Sequence, residues 1–214
     1  MRRLRALRPD VQIRRVPRKG GLRNKKTTSI MIVGVGGQGS LLASKLLGKL
    51  LTQEGFDVKV SEVHGMSQRG GSVVTYVRFG DKVYSPVIAK GEADFIVSFE
   101  KIEAARYADI LKKDGKIIVN SQMIDPMPVI TGAAEYPVTV LDELRAKGVF
   151  VDEIDALSLA RQAGNAKSVN IVLMGRLAKY FDIPYDKWVE AIKVSVKPQF
   201  VEVNLKAFDL GYNF

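Results

Sequence analysis

The chain has 214 residues, of which 46% are hydrophobic, and this size and composition fit one α/β domain with or without an appendage. It contains no apolar run of about 20 residues that could cross a bilayer and opens without the apolar core of a secretory signal, so we expect a cytoplasmic protein that does not contact a membrane. With no cysteine and one histidine, the sequence excludes disulfides, thiolate nucleophiles, cysteine-ligated zinc or iron–sulfur centres and multi-histidine metal sites within this chain.

The net charge of +10 comes from one end of the sequence. Residues 1–28 hold eleven of the 33 Lys and Arg residues and one of the 23 acidic residues, which leaves 22 of each sign in residues 29–214. We therefore expect a flexible basic extension over 1–28 and a single α/β domain over 29–214. The extension could be a solvated segment, an arm that docks on an acidic partner or RNA, or a transit peptide. It has no aromatic residue to stack on a base, so nucleic-acid binding is not favoured.

The first half of the domain opens as a Rossmann-like unit does, with a strand, a glycine turn and a helix. Apolar residues 30–33 predict the strand, and leucines at helical spacing predict a helix over 40–51. Alternating or apolar runs predict further strands over 57–63, 72–79 and 93–99. Gly80 and Asp81 predict a hairpin turn into a short strand at 82–84.

The second half changes from alternating elements to helices. A helix is predicted over 100–111, and a turn at Asp114–Gly115 leads into a strand over 116–120. Prolines indicate irregular structure or edge strands over 127–139, and 150–154 is predicted as the last strand. Four helices follow, over 156–163 with Asp155 as its cap and Gly164 at its end, over 168–180 with Ser168 as its cap, over 184–194 and over 199–209. This order predicts an α/β fold with a Rossmann-like, mostly parallel sheet flanked by helices and a helical C-terminal part.

The first glycine segment, residues 34–39, has Gly34, Gly36 and Gly39 in the spacing G-x-G-x-x-G between a strand and a helix. This spacing allows a tight turn and lets a phosphate group approach free backbone N–H groups at the positive end of the helix dipole. Glu62, at the end of the second predicted strand, is about where a dinucleotide-binding fold places the acid that binds a ribose. The same glycines could instead serve only to pack strand against helix.

The second glycine segment, residues 64–71, places the only histidine, an arginine and three glycines in one loop. Such a loop can present a fixed cation, a titratable imidazole and backbone N–H donors to one anionic group. His64 could equally be a structural residue that fixes the loop, and Arg69 could form an ion pair with Glu62. The sequence leaves both alternatives open.

The two glycine segments together resemble a known family. The γ-type module of the 2-oxoacid:ferredoxin oxidoreductases is similar to this chain in two runs, Gly34-Val35-Gly36-Gly37-Gln38-Gly39 and Ser61-Glu62-Val63-His64-Gly65-Met66-Ser67-Gln68-Arg69-Gly70-Gly71. Residues 64–71 are most similar to the small (beta) subunit of the indolepyruvate type. The resemblance covers about residues 29–211 and leaves the basic extension outside it.

The resemblance implies one subunit of a complex that converts a 2-oxoacid to an acyl-CoA, carbon dioxide and reduced ferredoxin, with arylpyruvates such as indolepyruvate as expected substrates. A large (alpha) subunit would carry thiamine pyrophosphate, Mg2+ and [4Fe-4S] clusters, and ferredoxin would accept the electrons. This chain would bind no cofactor covalently or by itself and would be inactive alone. Its lack of cysteine agrees with that division of labour.

The resemblance also implies roles for individual residues. His64 and Arg69 would have supporting catalytic roles, orienting a substrate carboxylate or coenzyme A. The residues expected to bind the cofactor, coenzyme A above all, are Gly34, Gly36, Gly37, Gln38, Gly39, Glu62, Ser67, Gln68, Gly70, Gly71 and Asn170.

Two other functions compete with this one. Glu62 after the second strand favours a free-standing NAD-binding Rossmann enzyme. The basic residues of 1–28 favour a nucleic-acid-binding module, whose affinity would fall steeply with salt.

Overall fold

A six-stranded sheet organises the residues that the computed structural model describes, 27–64 and 71–214, with the backbone alone at His64. The strands are β1 (Thr28–Val35), β2 (Asp57–His64), β3 (Ser72–Gly80), β4 (Ala93–Ser98), β5 (Leu111–Asn120) and β6 (Phe150–Ile154). Their order across the sheet is β2-β3-β1-β4-β5-β6, and every strand except β3 runs in the same direction. This arrangement confirms the predicted mostly parallel α/β fold.

Helices surround the sheet and make up the C-terminal part, as predicted. The helices are α1 (Ser40–Gln53), α2 (Lys101–Arg106), α3 (Met127–Ile130), α4 (Val140–Ala146), α5 (Ala156–Ala163), α6 (Val169–Ala178), α7 (Tyr185–Ser195) and α8 (Val201–Tyr212). Single 3-10 turns occupy Ala108–Ile110, Ala166–Ser168 and Pro198–Phe200. None of the helices in the described ranges has both the length and the apolar character needed to cross a membrane.

The central strand β1 is buried on both faces. Ile30 and Ile32 pack into a core with α1, α6 and the later helices, whereas Met31 and Val33 pack into a second core with Ala104 of α2 and residues of α4. Four consecutive apolar residues with no exposed surface are what a strand covered on both sides requires. The sheet therefore holds the end of β1, where the first glycine segment begins, in a fixed position.

The reversed strand β3 pairs on both sides, antiparallel to β1 and to β2. The predicted hairpin into a strand at 82–84 is therefore wrong, because β3 has no free edge for another partner. Instead, the N–H of Val83 donates to the carboxylate of Asp57 at 2.9 Å. Because β3 is reversed, the end of β2 and the start of β3 lie at the edge where β1, β4, β5 and β6 end, which we call the carboxyl edge.

Strand β5 begins earlier than the sequence predicts. The helix predicted over 100–111 stops at Arg106, and β5 starts at Leu111. The turn predicted at Asp114–Gly115 is wrong, since the strand continues through it with a shift in its register against β4. Gly115 permits this irregularity, because a Cβ there would lie 2.7 Å from the side chain of Leu111.

The helical C-terminal part follows the sequence signals closely at α5 and less closely elsewhere. The carboxylate of Asp155 accepts the N–H of Ser158 at 3.0 Å, and Gly164 ends α5 with φ of 110°, as predicted. Ser168 precedes α6 at the predicted place, but its side chain makes no capping hydrogen bond. Helix α4 has no counterpart among the predicted elements, and residues 127–139 contain the short α3 rather than an edge strand.

Candidate functional site

The two glycine segments meet at the carboxyl edge. The N–H of Gly36 donates to the carbonyl oxygen of Gly71 at 2.8 Å, one step beyond the last pair of the β1–β3 ladder, Val35 with Ser72. A backbone hydrogen bond thus joins the two motifs, although Gly36 and Gly71 are 35 residues apart in the sequence. In the family that the chain resembles, both segments are expected to serve one site, and this hydrogen bond shows that their ends are in contact.

The first glycine segment turns the chain from β1 into α1 with little space to spare. A Cβ at Gly34 would lie 2.9 Å from the Cβ of Phe99, and Gly37 and Gly39 have φ of 102° and 90°. Helix α1 has no side-chain cap at its start. Among the described residues, no acceptor contacts the N–H groups of Gly37, Gly39, Ser40 or Leu41. These groups can therefore bind an anion, which the helix dipole also favours.

An open cleft of about 350 Å³ lies over this helix start. Its lining comes from the first glycine segment, the first turn of α1 and the two neighbouring strands: Gly36, Gly37, Gly39, Ser40, Leu41, Glu62 and Val73. Glu62 contributes a carboxylate whose described contact within the chain is a 3.4 Å hydrogen bond from the hydroxyl of Thr75. The cleft thus combines backbone donors suited to phosphate with a carboxylate suited to a hydroxyl or amide N–H.

Gln38 points inward and fastens the first glycine segment to the sheet. Its side-chain oxygen accepts the N–H of Val35 at 2.7 Å, and its nitrogen donates to the carbonyl of Phe99 at 3.2 Å and to the side-chain oxygen of Gln122 at 3.3 Å. The fully buried Asn120 donates to the same two oxygens. Gln38 therefore holds the loop in shape with its side chain.

The start of β3, directly after the second glycine segment, is tied to α2. The hydroxyl of Ser72 donates to the buried carboxylate of Glu103 and lies 3.1 Å from the hydroxyl of Tyr107. The carboxylate of Glu103 also accepts from the Nε of Arg106 at 3.1 Å. A charged acceptor with a nearby guanidinium makes this a strong attachment. The end of the second glycine segment is therefore anchored at Ser72.

A second buried carboxylate organises the chain after β5. Glu100, 1% exposed, accepts the N–H of Glu103 at 3.0 Å and so caps α2. Its other oxygen accepts the N–H of Ile124 at 3.2 Å and the hydroxyl of Tyr136. Burial, together with this bond to Glu100, raises the pKa of Tyr136 well above its usual range. Tyr136 remains a neutral donor and holds residues 121–139 against the carboxyl edge.

Asn170 lies behind the first glycine segment. It is 4% exposed, and its side-chain nitrogen donates to the carbonyl oxygen of Gly39 at 3.2 Å while its oxygen accepts the N–H of Ile171 at 2.9 Å. Both described contacts go to backbone groups, and Asn170 is not part of the cleft lining. This geometry supports a role in holding the start of α1 in place.

The sequence-predicted site residues divide into three groups. Those in the cleft lining are Gly36, Gly37, Gly39 and Glu62, and those that support it are Gly34, Gln38, Gly71 and Asn170. The side chain of His64, with Ser67, Gln68, Arg69 and Gly70, lies outside the described residues. The binding and catalytic roles of all three groups stay predictions.

Sequence reasoning assigns no role to Glu100, Glu103 and Gln122, which are central to the arrangement. Glu100 and Gln122 each lie two residues after the end of a parallel strand, β4 and β5, and polar residues at that position commonly face the ligand-binding edge of such sheets. That position was the available signal. Within the described ranges, no group of three or more His, Asp or Glu side chains is arranged to hold a metal ion.

Comparison with known proteins identifies the family. A family model described as pyruvate ferredoxin/flavodoxin oxidoreductase matches residues 29–214. Indolepyruvate oxidoreductase subunit IorB of Pyrococcus horikoshii is 46% identical over 194 residues, which cover 87% of this chain and 95% of the relative. IorB of Archaeoglobus fulgidus is 40% identical over 189 residues, covering 86% and 94%.

Solved structures share the fold at lower identity. Pyruvate oxidoreductase subunit PORC from Thermotoga maritima has a TM-score of 0.68 at 22% identity, covering 88% of this chain and 97% of the other. The 2-oxoglutarate:ferredoxin oxidoreductase from Magnetococcus marinus, solved with 2-oxoglutarate, coenzyme A and succinyl-CoA bound, has a TM-score of 0.68 at 22% identity, and the match covers 31% of its longer chain. With the family model matched over residues 29–214 and relatives at 40–46% identity over most of its length, this chain belongs to the pyruvate ferredoxin/flavodoxin oxidoreductase family.

Proposed function

We propose that this chain is the small subunit of a ferredoxin-reducing 2-oxoacid oxidoreductase that acts on arylpyruvates such as indolepyruvate. The observation that carries the proposal is the hydrogen bond from Gly36 to Gly71, which joins both family motifs at one cleft. The IorB relatives, at 40–46% identity over most of the chain, support indolepyruvate as the substrate. In this proposal the chain needs a large partner for activity.

Coenzyme A is the ligand that we assign to the cleft. The N–H groups of Gly37, Gly39 and Ser40 are suited to one of its phosphate groups at the start of α1. Glu62, on the neighbouring strand, is suited to a hydroxyl or amide N–H of the same molecule, because a carboxylate would repel a second phosphate. The 2-oxoglutarate oxidoreductase of the same fold, solved with coenzyme A bound, supports this assignment.

The redox cofactors are assigned to the partner subunit. Thiamine pyrophosphate with Mg2+ would supply the carbon nucleophile, and [4Fe-4S] clusters would pass the electrons to ferredoxin. This chain has no cysteine to ligate a cluster. Its own contribution is to bind and orient coenzyme A, with His64 and Arg69 in supporting roles at the second glycine segment.

Exposed apolar residues after the strand ends support a protein partner. Large apolar side chains that are about half exposed or more follow the ends of β1 and β5 or lie near the end of β2: Leu41, Val63, Met123, Met127 and Ile130. A group of exposed apolar residues along one edge is typical of a protein contact surface. We place the large subunit at this carboxyl edge, where it would close the cleft from solvent.

The alternative of a free-standing NAD-binding enzyme is less well supported by the topology. In the dinucleotide-binding fold, the strand that carries the ribose-binding acid lies next to β1. Here β3 separates β1 from β2, so Glu62 lies one strand further away than that fold requires. Glu62 nevertheless lines the cleft, so titration of the isolated chain with NAD distinguishes the two functions.

Co-expression with the large subunit tests the proposal. The purified complex should reduce ferredoxin with indolepyruvate only when coenzyme A is present, and the small subunit alone should give no turnover. Turnover by the isolated chain, or micromolar binding of NAD to it, would contradict the proposal. A complex that is equally active without coenzyme A would contradict the assignment of the cleft.

We also propose that residues 29–214 are the functional domain and that the basic extension is dispensable. A chain that begins at Ser29 should join the complex and support the same rate. Loss of activity on this truncation, restored by adding back residues 1–28, would instead make the extension part of the enzyme. The cytoplasmic location stays a prediction of the sequence.

A further inference from the structure

Three side-chain amides and one backbone carbonyl form a connected cluster beneath the first glycine segment. Gln38 and Asn120 each donate a hydrogen bond to the carbonyl oxygen of Phe99, at 3.2 Å in both cases. Each also donates to the side-chain oxygen of Gln122, at 3.3 Å in both cases. Gln122 therefore stands between the amide that shapes the loop and the amide that is buried in the sheet.

Backbone groups of known polarity fix the orientation of two of these amides. The oxygen of Gln38 accepts the N–H of Val35 at 2.7 Å, and the oxygen of Asn120 accepts the N–H of Ala156 at 3.1 Å. Both side-chain nitrogens must therefore point toward Gln122, and an amide nitrogen there could not accept from them. The atom of Gln122 between them has to be its oxygen.

The backbone of Gln122 is hydrogen-bonded as well as its side chain. Its carbonyl oxygen accepts the N–H of Lys101, the first residue of α2, at 3.2 Å. A side chain that accepts two hydrogen bonds from a fixed backbone position can transmit the position of β5 and α2 to the loop. We infer that Gln122 is a positioning residue that holds Gln38, and through it the N–H groups of Gly37, Gly39 and Ser40, in the conformation that binds coenzyme A.

The inference rests on the proposed function only for its activity readout, and hydrogen exchange gives a readout that does not. Gln122→Met keeps the length of the side chain and removes its acceptor, whereas Gln122→Glu keeps an acceptor for both neighbouring amides. Gln162→Met, at an exposed position on α5, is the matched control. Exchange is followed by mass spectrometry on the full chain, in peptides over residues 34–42 and over α6 to α8.

In Gln122→Met, exchange over 34–42 should be about fivefold faster, in line with loss of the one hydrogen bond that Gln38 donates to Gln122, with exchange over α6 to α8 unchanged. In Gln122→Glu and in Gln162→Met, the exchange rate over residues 34–42 should stay within about twofold of that in the unaltered chain. In the reconstituted complex, Gln122→Met should raise the KM for coenzyme A about fivefold and leave kcat within about twofold, because the hydrogen bond positions the binding loop. Gln122→Glu should restore the normal KM.

Because Gln122 acts through Gln38, the double variant Gln38→Met/Gln122→Met should be no worse than Gln38→Met alone. Additive effects would overturn the inference, as would unchanged exchange in Gln122→Met or equally fast exchange in Gln122→Glu. If Gln122→Met does not fold, Gln122→Ser replaces it, and the same changes of about fivefold in exchange over 34–42 and in the KM for coenzyme A are expected. A wild-type complex that does not use coenzyme A would refute the proposed function and leave the exchange result to decide the role of Gln122.

Discussion

The side chain of Asn170 donates a 3.2 Å hydrogen bond to the carbonyl oxygen of Gly39, so the start of α6 lies directly behind the start of α1. This contact leaves no room for a side chain at Gly39, where a Cβ would lie 2.8 Å from the Asn170 nitrogen. The start of α1, which lines the cleft, is thus supported from behind by the start of α6. Its shape depends on a glycine in the left-handed region, with φ of 90°.

Replacing Gly39 should therefore harm binding as well as stability. Gly39→Ala adds a clash with Asn170 to the cost of about 1 kcal/mol for a non-glycine residue at positive φ. Because the substitution displaces the loop, we expect the KM for coenzyme A in the complex to rise about tenfold. This rise corresponds to a loss of roughly 1.4 kcal/mol of binding free energy. Gly55→Ala is the control, because Gly55 has φ of 86° and no neighbour within 4 Å of its Cβ position. An equal rise in KM for both variants would contradict this prediction.

The backbones of helices α6 and α8 are in contact at Gly175 and Gly211. We expect the free energy of unfolding to depend strongly on this contact. A Cβ at Gly211 would lie 2.0 Å from the carbonyl oxygen of Val172. Gly211→Ala should therefore lower the free energy of unfolding by about 3 kcal/mol, measured by urea denaturation of the full chain. Gly48→Ala, in α1 with its nearest neighbour 3.7 Å from the Cβ position, should instead raise it by roughly 0.5 kcal/mol. A similar loss of unfolding free energy in both variants would show that the close approach of α6 and α8 does not determine the effect of Gly211→Ala.

The cap of α5 should make stability depend on pH at the acidic end. Hydrogen bonds from the backbone and side chain of Ser158 lower the pKa of Asp155. A depressed folded-state pKa stabilises the protein above the unfolded-state pKa of about 3.8 and loses that effect as pH falls through the folded value.

Asp155→Ala should accordingly cost about 1 kcal/mol at pH 7, and the difference should shrink as the pH falls below 4. Denaturation curves at several pH values measure it. Asp182→Ala, at an exposed loop position, should change little at any pH. A pH-independent difference for Asp155→Ala would mean that the carboxylate charge does not contribute.

The hydroxyl of Tyr136 should matter because its acceptor is a buried carboxylate. Tyr136→Phe leaves the Glu100 oxygen without this donor and should lower the free energy of unfolding by about 2 kcal/mol. Tyr84→Phe, at a position that is 86% exposed, should have no measurable effect. If both variants denature as the unaltered chain does, Tyr136 does not hold residues 121–139 in place.

Local sequence signals predicted the parts of the fold that depend on local interactions. Asp155 and Gly164 delimit α5 because a cap and a left-handed glycine act within one turn of the helix. The prediction of a hairpin after Gly80 was wrong because the pairing of β3 on both sides depends on β1, whose paired residues lie 37 to 51 positions earlier in the chain. The prediction of a turn at Gly115 was wrong for a similar reason, since the pairing of β5 with β4 overrides the turn preference of Asp114–Gly115.

The candidate site was predictable in its backbone and not in its supporting side chains. Glycine spacing marks Gly36 and Gly39 directly, because only backbone geometry is required there. Gln122 and Glu103 act through partners that are 84 and 31 residues away in the sequence, Gln38 and Ser72. No period or spacing within one segment encodes such contacts, so their roles emerge only from the folded arrangement.

The direction of β1 has a practical consequence for experiments on the assembled enzyme. Its first residue, Thr28, and its last, Val35, are separated by roughly 23 Å at the usual rise of about 3.3 Å per residue. Thr28 lies at the opposite end of the strand from the cleft. An affinity tag or fluorophore attached upstream of Thr28 therefore joins the domain at the far end of β1, and immobilising the subunit by that end should leave the carboxyl edge free to bind the large subunit.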